Sequence, residues 1–285
     1  MPILSTDKIQ LSIVIPAYNE EFRISKTLDT YLDYFKANFN KNYEILIVLN
    51  GCKDNTLKVV KKYQAKFPNI TYINIPDAIG KGGALTEGFK KATGAIIGFT
   101  DADGSTSPEM FLKLYNKLSS SKDIDCVIGS RNLPESVITG RTQSRKIMTS
   151  GFNFGVNFMF NLGIKDTQCG AKLVKKKMLK KIVNNLSVAN MAFDVNLLVE
   201  IKRNGGKTAE IPISWDDSDE TTITNPIKTS VAMALSVIRL KLIYSPLKFL
   251  YPILNFVFRP VYTLLINNNQ NTNYDNWKKQ HPSES

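Results

Sequence analysis

The segment Ala95–Ser105, AIIGFTDADGS, passes directly from an apolar, β-branched run into two carboxylates, Asp101 and Asp103, with a glycine behind them. A short run of near-continuous hydrophobicity is the pattern of a strand covered on both faces. Two acids at i and i+2 beyond such a strand can divide their work, one orienting a polar ligand and the other binding a hard divalent cation. Mg²⁺ and Mn²⁺ prefer oxygen ligands and keep phosphates and waters in their remaining positions, so one or two protein carboxylates suffice. Asp103 is the principal candidate ligand. Taken alone, the same motif reads better as a turn whose Asp caps a helix starting near Pro108, so its surroundings must decide.

Those surroundings repeat the pattern. LSIVI (Leu11–Ile15), EILIVL (Glu44–Leu49), TYINI (Thr71–Ile75) and IDCVIGS (Ile124–Ser130) read as further buried strands, separated by helix-length segments. Between the first two, Asn19 to Ala37 spaces Phe22, Thr27, Leu28, Tyr31, Leu32 and Phe35 at helical intervals. The alternation predicts an α/β fold with a mostly parallel central sheet flanked by helices. In such a sheet the ligand crevice lies beyond the carboxyl ends of the strands. Pro16-Ala17-Tyr18-Asn19-Glu20 follows the first strand, Asn50-Gly51-Cys52-Lys53-Asp54 the second, Gly80-Lys81-Gly82-Gly83 the third and the two acids the fourth. Four strand ends in series carrying turn formers, carboxylates or a glycine-lysine loop predict one nucleotide-binding crevice. The glycine loop, read as exposed N–H groups plus one ammonium, would suit a diphosphate. It is neither a Walker A loop nor a dinucleotide fingerprint.

The second half is less regular. Arg131 follows the fifth strand, with Arg141 and Arg145 soon after, and guanidinium groups suit bidentate phosphate recognition. From Ile147 to Ile164 the chain is uncharged, with Asn153, Asn157 and Asn161 in line with Thr149 and several Phe on other faces. Two readings stand: an amphipathic helix in a membrane interface, or a buried helix with internally bonded amides. Residues 194–202 read as another helix and 208–214 as an extended strand, followed by a polar loop from Trp215. Residues 226–266 are apolar and basic, interrupted by Pro246, Pro252 and Pro260, and suit a membrane-associating segment; 267–285 read as a polar disordered tail.

The 285 residues carry 37 Lys+Arg against 25 Asp+Glu, a formal +12, so an anionic partner is expected. Arg141 to Lys181 holds ten basic residues and one acid, and Lys228 to Arg259 five and none, more than the whole excess. The basicity therefore belongs to the second half, which favours an anionic membrane surface over nucleic acid, for which no recognisable module is present. Three scattered cysteines form no disulfide framework or metal motif, and a reducing compartment is the default. A single His, His281, leaves no basis for a histidine base or a His-ligated metal. The first residues are expected to form neither a signal peptide nor a membrane anchor, and no run is a clear transmembrane helix.

SIVIPAYNEE, NGCKDNT, GKGGAL, DADGS, GSR and DTQCGAK, in that order, resemble the family 2 glycosyltransferases of GT-A fold. Within them the set resembles the polyprenyl-phosphate sugar transferases, the dolichyl-phosphate glucosyltransferase and mannosyltransferase group. DTQCG, AFDVNLL and PISW lean towards the glucosyltransferase branch. The resemblance runs from about Leu11 to Tyr244. It implies a catalytic domain over 1–225, with a nucleotide-sugar half at about 9–130 and an acceptor half at about 131–225. Pro16, Tyr18 and Glu20 would line the nucleotide pocket, Asn50 and Asp101 would contact base or ribose, and Lys81 would approach the diphosphate. Asp103 would hold Mg²⁺ or Mn²⁺, with Ser105 where the mannosyltransferases can place a metal-binding Gln. Arg131, Arg145 and Arg141 would grip the lipid phosphate, and Asp166, Gln168, Asp194 and Trp215 are candidate sugar or acceptor contacts. The second loop reads VLNGC where the family usually has VDDGS.

The implied enzyme is an inverting hexosyltransferase that moves glucose from UDP-glucose to a dolichyl or polyprenyl phosphate, at the cytoplasmic face of a membrane. UDP-N-acetylglucosamine and GDP-mannose stay open as donors. A hydroxyl acceptor, as in polysaccharide or glycolipid synthesis, is the alternative; it needs a base, for which Asp194 is the best carboxylate. A non-catalytic basic module binding nucleic acid or membrane is a third, remote reading.

Overall fold

The computed structural model describes residues 9–140, 142–216, 226–250 and 270–281. Five strands, β1 (Leu11–Ala17), β2 (Tyr43–Asn50), β3 (Ile70–Ile75), β4 (Ile96–Phe99) and β5 (Cys126–Ser130), form where the apolar runs predict them. With β7 (Lys172–Lys175) and β8 (Thr208–Pro212) they make a seven-stranded sheet of order β3-β2-β1-β4-β7-β5-β8. Every pairing is parallel except those of β7, which runs against β4 and β5. A second, two-stranded sheet pairs β6 (Val137–Thr139) with β9 (Ser214–Asp216).

Side-chain alternation along the strands builds two cores. Ile13, Ile15, Ile45 and Ile47 turn to the face covered by α1 (Ile24–Phe39) and α4 (Pro108–Ser120), where Tyr31, Phe35 and Phe111 pack edge and face. Val14, Leu46 and Val48 turn to the other face, against α3 (Gly80–Lys91), α6 (Lys176–Ile182) and α7 (Phe193–Arg203). Between β2 and β3 runs α2 (Thr56–Lys66). Ser107 caps α4 by accepting from the Met110 N–H at 3.3 Å, with Pro108 in the first turn as predicted. The helix expected from Asn19 starts at Ile24, because Asn19 takes a left-handed φ of 55° and the loop after it is tied to the second strand end.

Two helices depart further from expectation. In α5 (Gln143–Phe160), Asn153 is buried and accepts from the Thr167 N–H and hydroxyl at 3.0 and 2.6 Å, while Asn157 exchanges hydrogen bonds with the backbone of Ile164. The amide face therefore points into the protein, and Ile147, Phe154 and Phe158 on the other side are 71%, 74% and 83% exposed. A third apolar cluster joins α5 and α7 to α8 (Pro226–Ile243) through Val156, Val195, Val237 and Leu240. Among the described residues no helix is long and apolar enough to cross a membrane. Within the tail read as disordered, residues 270–280 form α9 (Gln270–Gln280). Tyr274 and Trp277, three residues apart, give that polar helix one apolar face, which joins the core around α3.

Candidate functional site

The sheet brings the loaded strand ends to one edge. Because β7 is antiparallel, the segment entering it, Asp166–Ala171, arrives at the edge where β4 and β5 leave. The loops after β1 and β2 are fastened together: Glu20 N–H donates to Thr56 Oγ1 (2.8 Å), Glu21 N–H to Asp54 Oδ2 (3.1 Å) and Lys53 N–H to Asn19 Oδ1 (2.8 Å). From α1, Thr27 Oγ1 donates to the Ala102 carbonyl and Tyr31 OH to that of Thr106, both at 2.8 Å, which holds the DAD turn from beneath.

Within this frame Lys81 Nζ lies 2.5 Å from Asp101 Oδ1. Burial alone would lower the Lys81 ammonium, but the charges of Asp101, Asp194 and Asp103 outweigh it and hold the group above its ordinary value. Opposite, Glu20 forks onto Arg23 at 2.8 and 2.9 Å; burial, reinforced by Asp103 and Asp101 and opposed by Arg23, raises its carboxyl. These four sequence-predicted residues share one electrostatic crevice. Pro16 sits on β1 beside Val48, and Tyr18 stands exposed at the mouth.

Asp103 Oδ1 accepts from Ser105 N–H and Oγ at 2.9 and 2.7 Å, so the predicted pair is in contact. Among the described residues no three His, Cys, Asp or Glu form a metal cluster. A carboxylate and a hydroxyl fit a hard divalent cation that draws its other ligands from phosphate and water.

At three of the predicted positions the structure shows contacts that the sequence did not foresee. The amides of Gly82 and Gly83 do not face the crevice: they donate to the Ala189 carbonyl at 2.7 and 3.3 Å, and a Cβ on Gly82 would come within 2.2 Å of the Val188 carbonyl. These glycines admit a close neighbour, and only Lys81 remains as the loop's cationic group. Asn50 is buried, with Oδ1 accepting from the Ile79 N–H at 2.7 Å, so it shapes the loop before α3. Arg131 grips a carboxylate: its Nε and Nη2 donate to the two oxygens of the fully buried Asp166 at 2.8 and 3.1 Å, and its own N–H adds a third bond at 3.0 Å. Burial pushes the Asp166 carboxyl up, but the charge and hydrogen bonds of Arg131 prevail and hold it below its ordinary value.

The Arg131 guanidinium also lies 5.3 Å from the ring centre of Trp215, which is itself buried on β9. Trp215 Nε1 and Ser130 Oγ, both buried, have no hydrogen-bond partner among the described residues. Gln168 is half-buried in the same turn, its N–H donating to Asp166 Oδ1, and Arg145 is half-buried in the first turn of α5. Arg141 and the polar loop beyond Asp216 lie outside the described residues.

Sequence reasoning missed Lys172. Its fully buried Nζ donates to the Cys169 carbonyl and pairs with Asp194 Oδ1 on α7. The same turn carries Gly170, where a Cβ would fall 2.4 Å from Asp101 Oδ2, so a side chain there would make the Asp101 carboxylate shift. The sequence signal was slight, since Lys172 opens the strand KLVK and Asp194 is one of two acids on α7, with Glu200.

The chain matches Glycosyl transferase family 2 over residues 12–183. A dolichyl-phosphate beta-glucosyltransferase of Trichomonas vaginalis is 34% identical over 249 residues, covering 85% of this chain and 76% of the relative. The enzyme of that name from Homo sapiens is 32% identical over 246 residues, covering 82% and 76%. Among solved structures, mannosyl-3-phosphoglycerate synthase of Rubrobacter xylanophilus superposes with a TM-score of 0.63 at 14% identity, covering 82% of this chain and 74% of that one. Glucosyl-3-phosphoglycerate synthase of Mycobacterium tuberculosis, solved with Mn²⁺, UDP and glucosyl-3-phosphoglycerate, gives 0.57 at 18%, covering 82% and 78%. The ordered strand-end motifs, the sheet with its single reversed strand and these likenesses agree: the chain is a glycosyltransferase of family 2, built on the GT-A fold.

Proposed function

We propose that the protein transfers glucose from UDP-glucose to a dolichyl or other polyprenyl phosphate, with inversion at the anomeric carbon. The observation that carries this reading is the state of the acceptor-side carboxylates. Asp166 is committed to Arg131, and Asp194 to Lys172. If Asp194 took a proton from an acceptor hydroxyl, the Lys172 ammonium would be left buried and unpaired, at a cost of about 3–5 kcal/mol. A phosphate monoester needs no such base, since it is already an oxyanion at neutral pH. One of its oxygens bonds to the anomeric carbon as the bond from that carbon to the diphosphate breaks, and the electron pair leaves with UDP.

On the donor side, Lys81 exchanges part of its contact with Asp101 for the diphosphate, and Asp101 turns to the nucleoside. Mg²⁺ or Mn²⁺ held by Asp103 beside Ser105 would supply charge to the departing diphosphate. On the acceptor side, Arg131, set by Asp166 and Trp215, meets the lipid phosphate with Arg145, while Trp215 Nε1 and Ser130 Oγ, without a partner among the described residues, offer donors to sugar or phosphate. The names of the relatives support dolichyl phosphate as the acceptor and glucose as the group transferred. Exposed Ile147, Phe154 and Phe158 on α5, Val231 and Ile238 on α8 and Phe249 beyond it, with no acid on either helix, support a peripheral seat on an anionic membrane. Three free cysteines fit a cytoplasmic face.

Full-length protein incubated with polyprenyl-phosphate vesicles, Mn²⁺ or Mg²⁺ and a panel of labelled nucleotide sugars tests the donor. Label from UDP-glucose should enter the organic phase, at least 100-fold less with Asp103→Ala. Label from GDP-mannose alone would overturn the assignment.

A further inference from the structure

The first turn of α3 presents Lys81 to Asp101, yet it is built from residues that cannot anchor it. Gly80, Gly82 and Gly83 have no side chains to pack, and glycine is among the poorest helix formers. The turn is fixed from outside. On one side Asn50 accepts the Ile79 N–H; on another the Ala189 carbonyl accepts those of Gly82 and Gly83. The third support comes from α9, beyond the part of the chain that matches the family. Asn273 Nδ2 donates to the Ala78 carbonyl at 3.0 Å. Tyr274, 1% exposed, lies against Gly83, where a Cβ would meet its ring at 3.2 Å, and its hydroxyl donates to the buried Glu87 Oε1 at 3.1 Å. Glu87 is held as well by Lys90 Nζ at 2.9 Å.

We propose that Tyr274 and Asn273 are positioning residues for the donor diphosphate: α9 clamps the glycine turn of α3 so that Lys81 stays at the Asp101 edge of the crevice. This rests on the reading of Lys81 as the diphosphate contact. Donor binding then depends on a helix from the far end of the chain, packed against α3 through Gly83 and Glu87.

Calorimetric titration of the full chain with UDP and Mn²⁺ tests the clamp through a double-mutant cycle. Lys81→Met and Tyr274→Ala should each weaken UDP binding about tenfold, and the double variant should bind no more weakly than either single one, because both changes remove the same contact. Asn273→Ala, which leaves the Tyr274 packing intact, should weaken binding about threefold, and Tyr274→Phe, which keeps the ring against Gly83, should restore most of the loss. Losses that multiply in the double variant, or unchanged UDP affinity in both Tyr274→Ala and Asn273→Ala, would overturn the clamp while leaving the donor reading intact. A wild-type chain that binds no UDP would overturn the donor reading, and the clamp's stated purpose with it.

Discussion

Lys172 and Asp194 form a buried ion pair beside the site. Removing one partner strands the other, so Lys172→Met should lower stability by about 3–5 kcal/mol, read from the urea midpoint. Replacing both, Lys172→Met with Asp194→Asn, should restore most of that stability and keep measurable transfer, since buried pairs replaced together are often near neutral. Transfer abolished in a stable double variant would make Asp194 a base after all. At this scale the sequence was legible for part of the strand ends: Glu20, Lys81, Asp101 and Asp103 lie in one crevice, whereas Asn50, also at a strand end, is turned to the Ile79 N–H. Lys172 was not, because KLVK in isolation reads as a solvated strand, and only the fold brings Asp194 over it. The fork of Arg131 on Asp166 was hidden for the same reason: 35 residues separate partners that the reversed β7 brings together.

Helix α5 carries the opposite polarity to an ordinary surface helix. Its amides are spent on the loop leading to Asp166, as the buried reading expects, while Phe154 and Phe158 face outwards and Phe152 and Phe160 pack against the third apolar cluster. Burying an exposed Phe is worth about 1.5–3 kcal/mol. Phe154→Ser with Phe158→Ser should therefore weaken co-sedimentation with anionic vesicles at least tenfold while shifting stability by less than about 0.5 kcal/mol. Unchanged vesicle binding would remove this face from the membrane account. Strands β1 to β5 were readable because each lies in an apolar, β-branched run, even the four-residue β4. The three- and four-residue strands β6, β7 and β9 are too short to show a period, and their partners come from distant segments.

The whole molecule separates its two tasks. The carboxylates cluster with Lys81 at the ends of β1 and β4, whereas the excess positive charge lies in the second half, with the outward face of α5. The order of motifs made the GT-A fold legible before any contact was known. The role of the far end was not, because a polar stretch of Asn and Gln gives no sign that one tyrosine will be buried against a glycine turn. The central claim is that the acceptor arrives as an oxyanion, and transfer from UDP-glucose to polyprenyl phosphate, compared with the corresponding polyprenol in the same vesicles, tests it most directly. Glucosylation of the phosphate alone, with a rate that levels off once its second proton is lost near pH 6, is the expected result; glucosylation of the polyprenol at a comparable rate would contradict it.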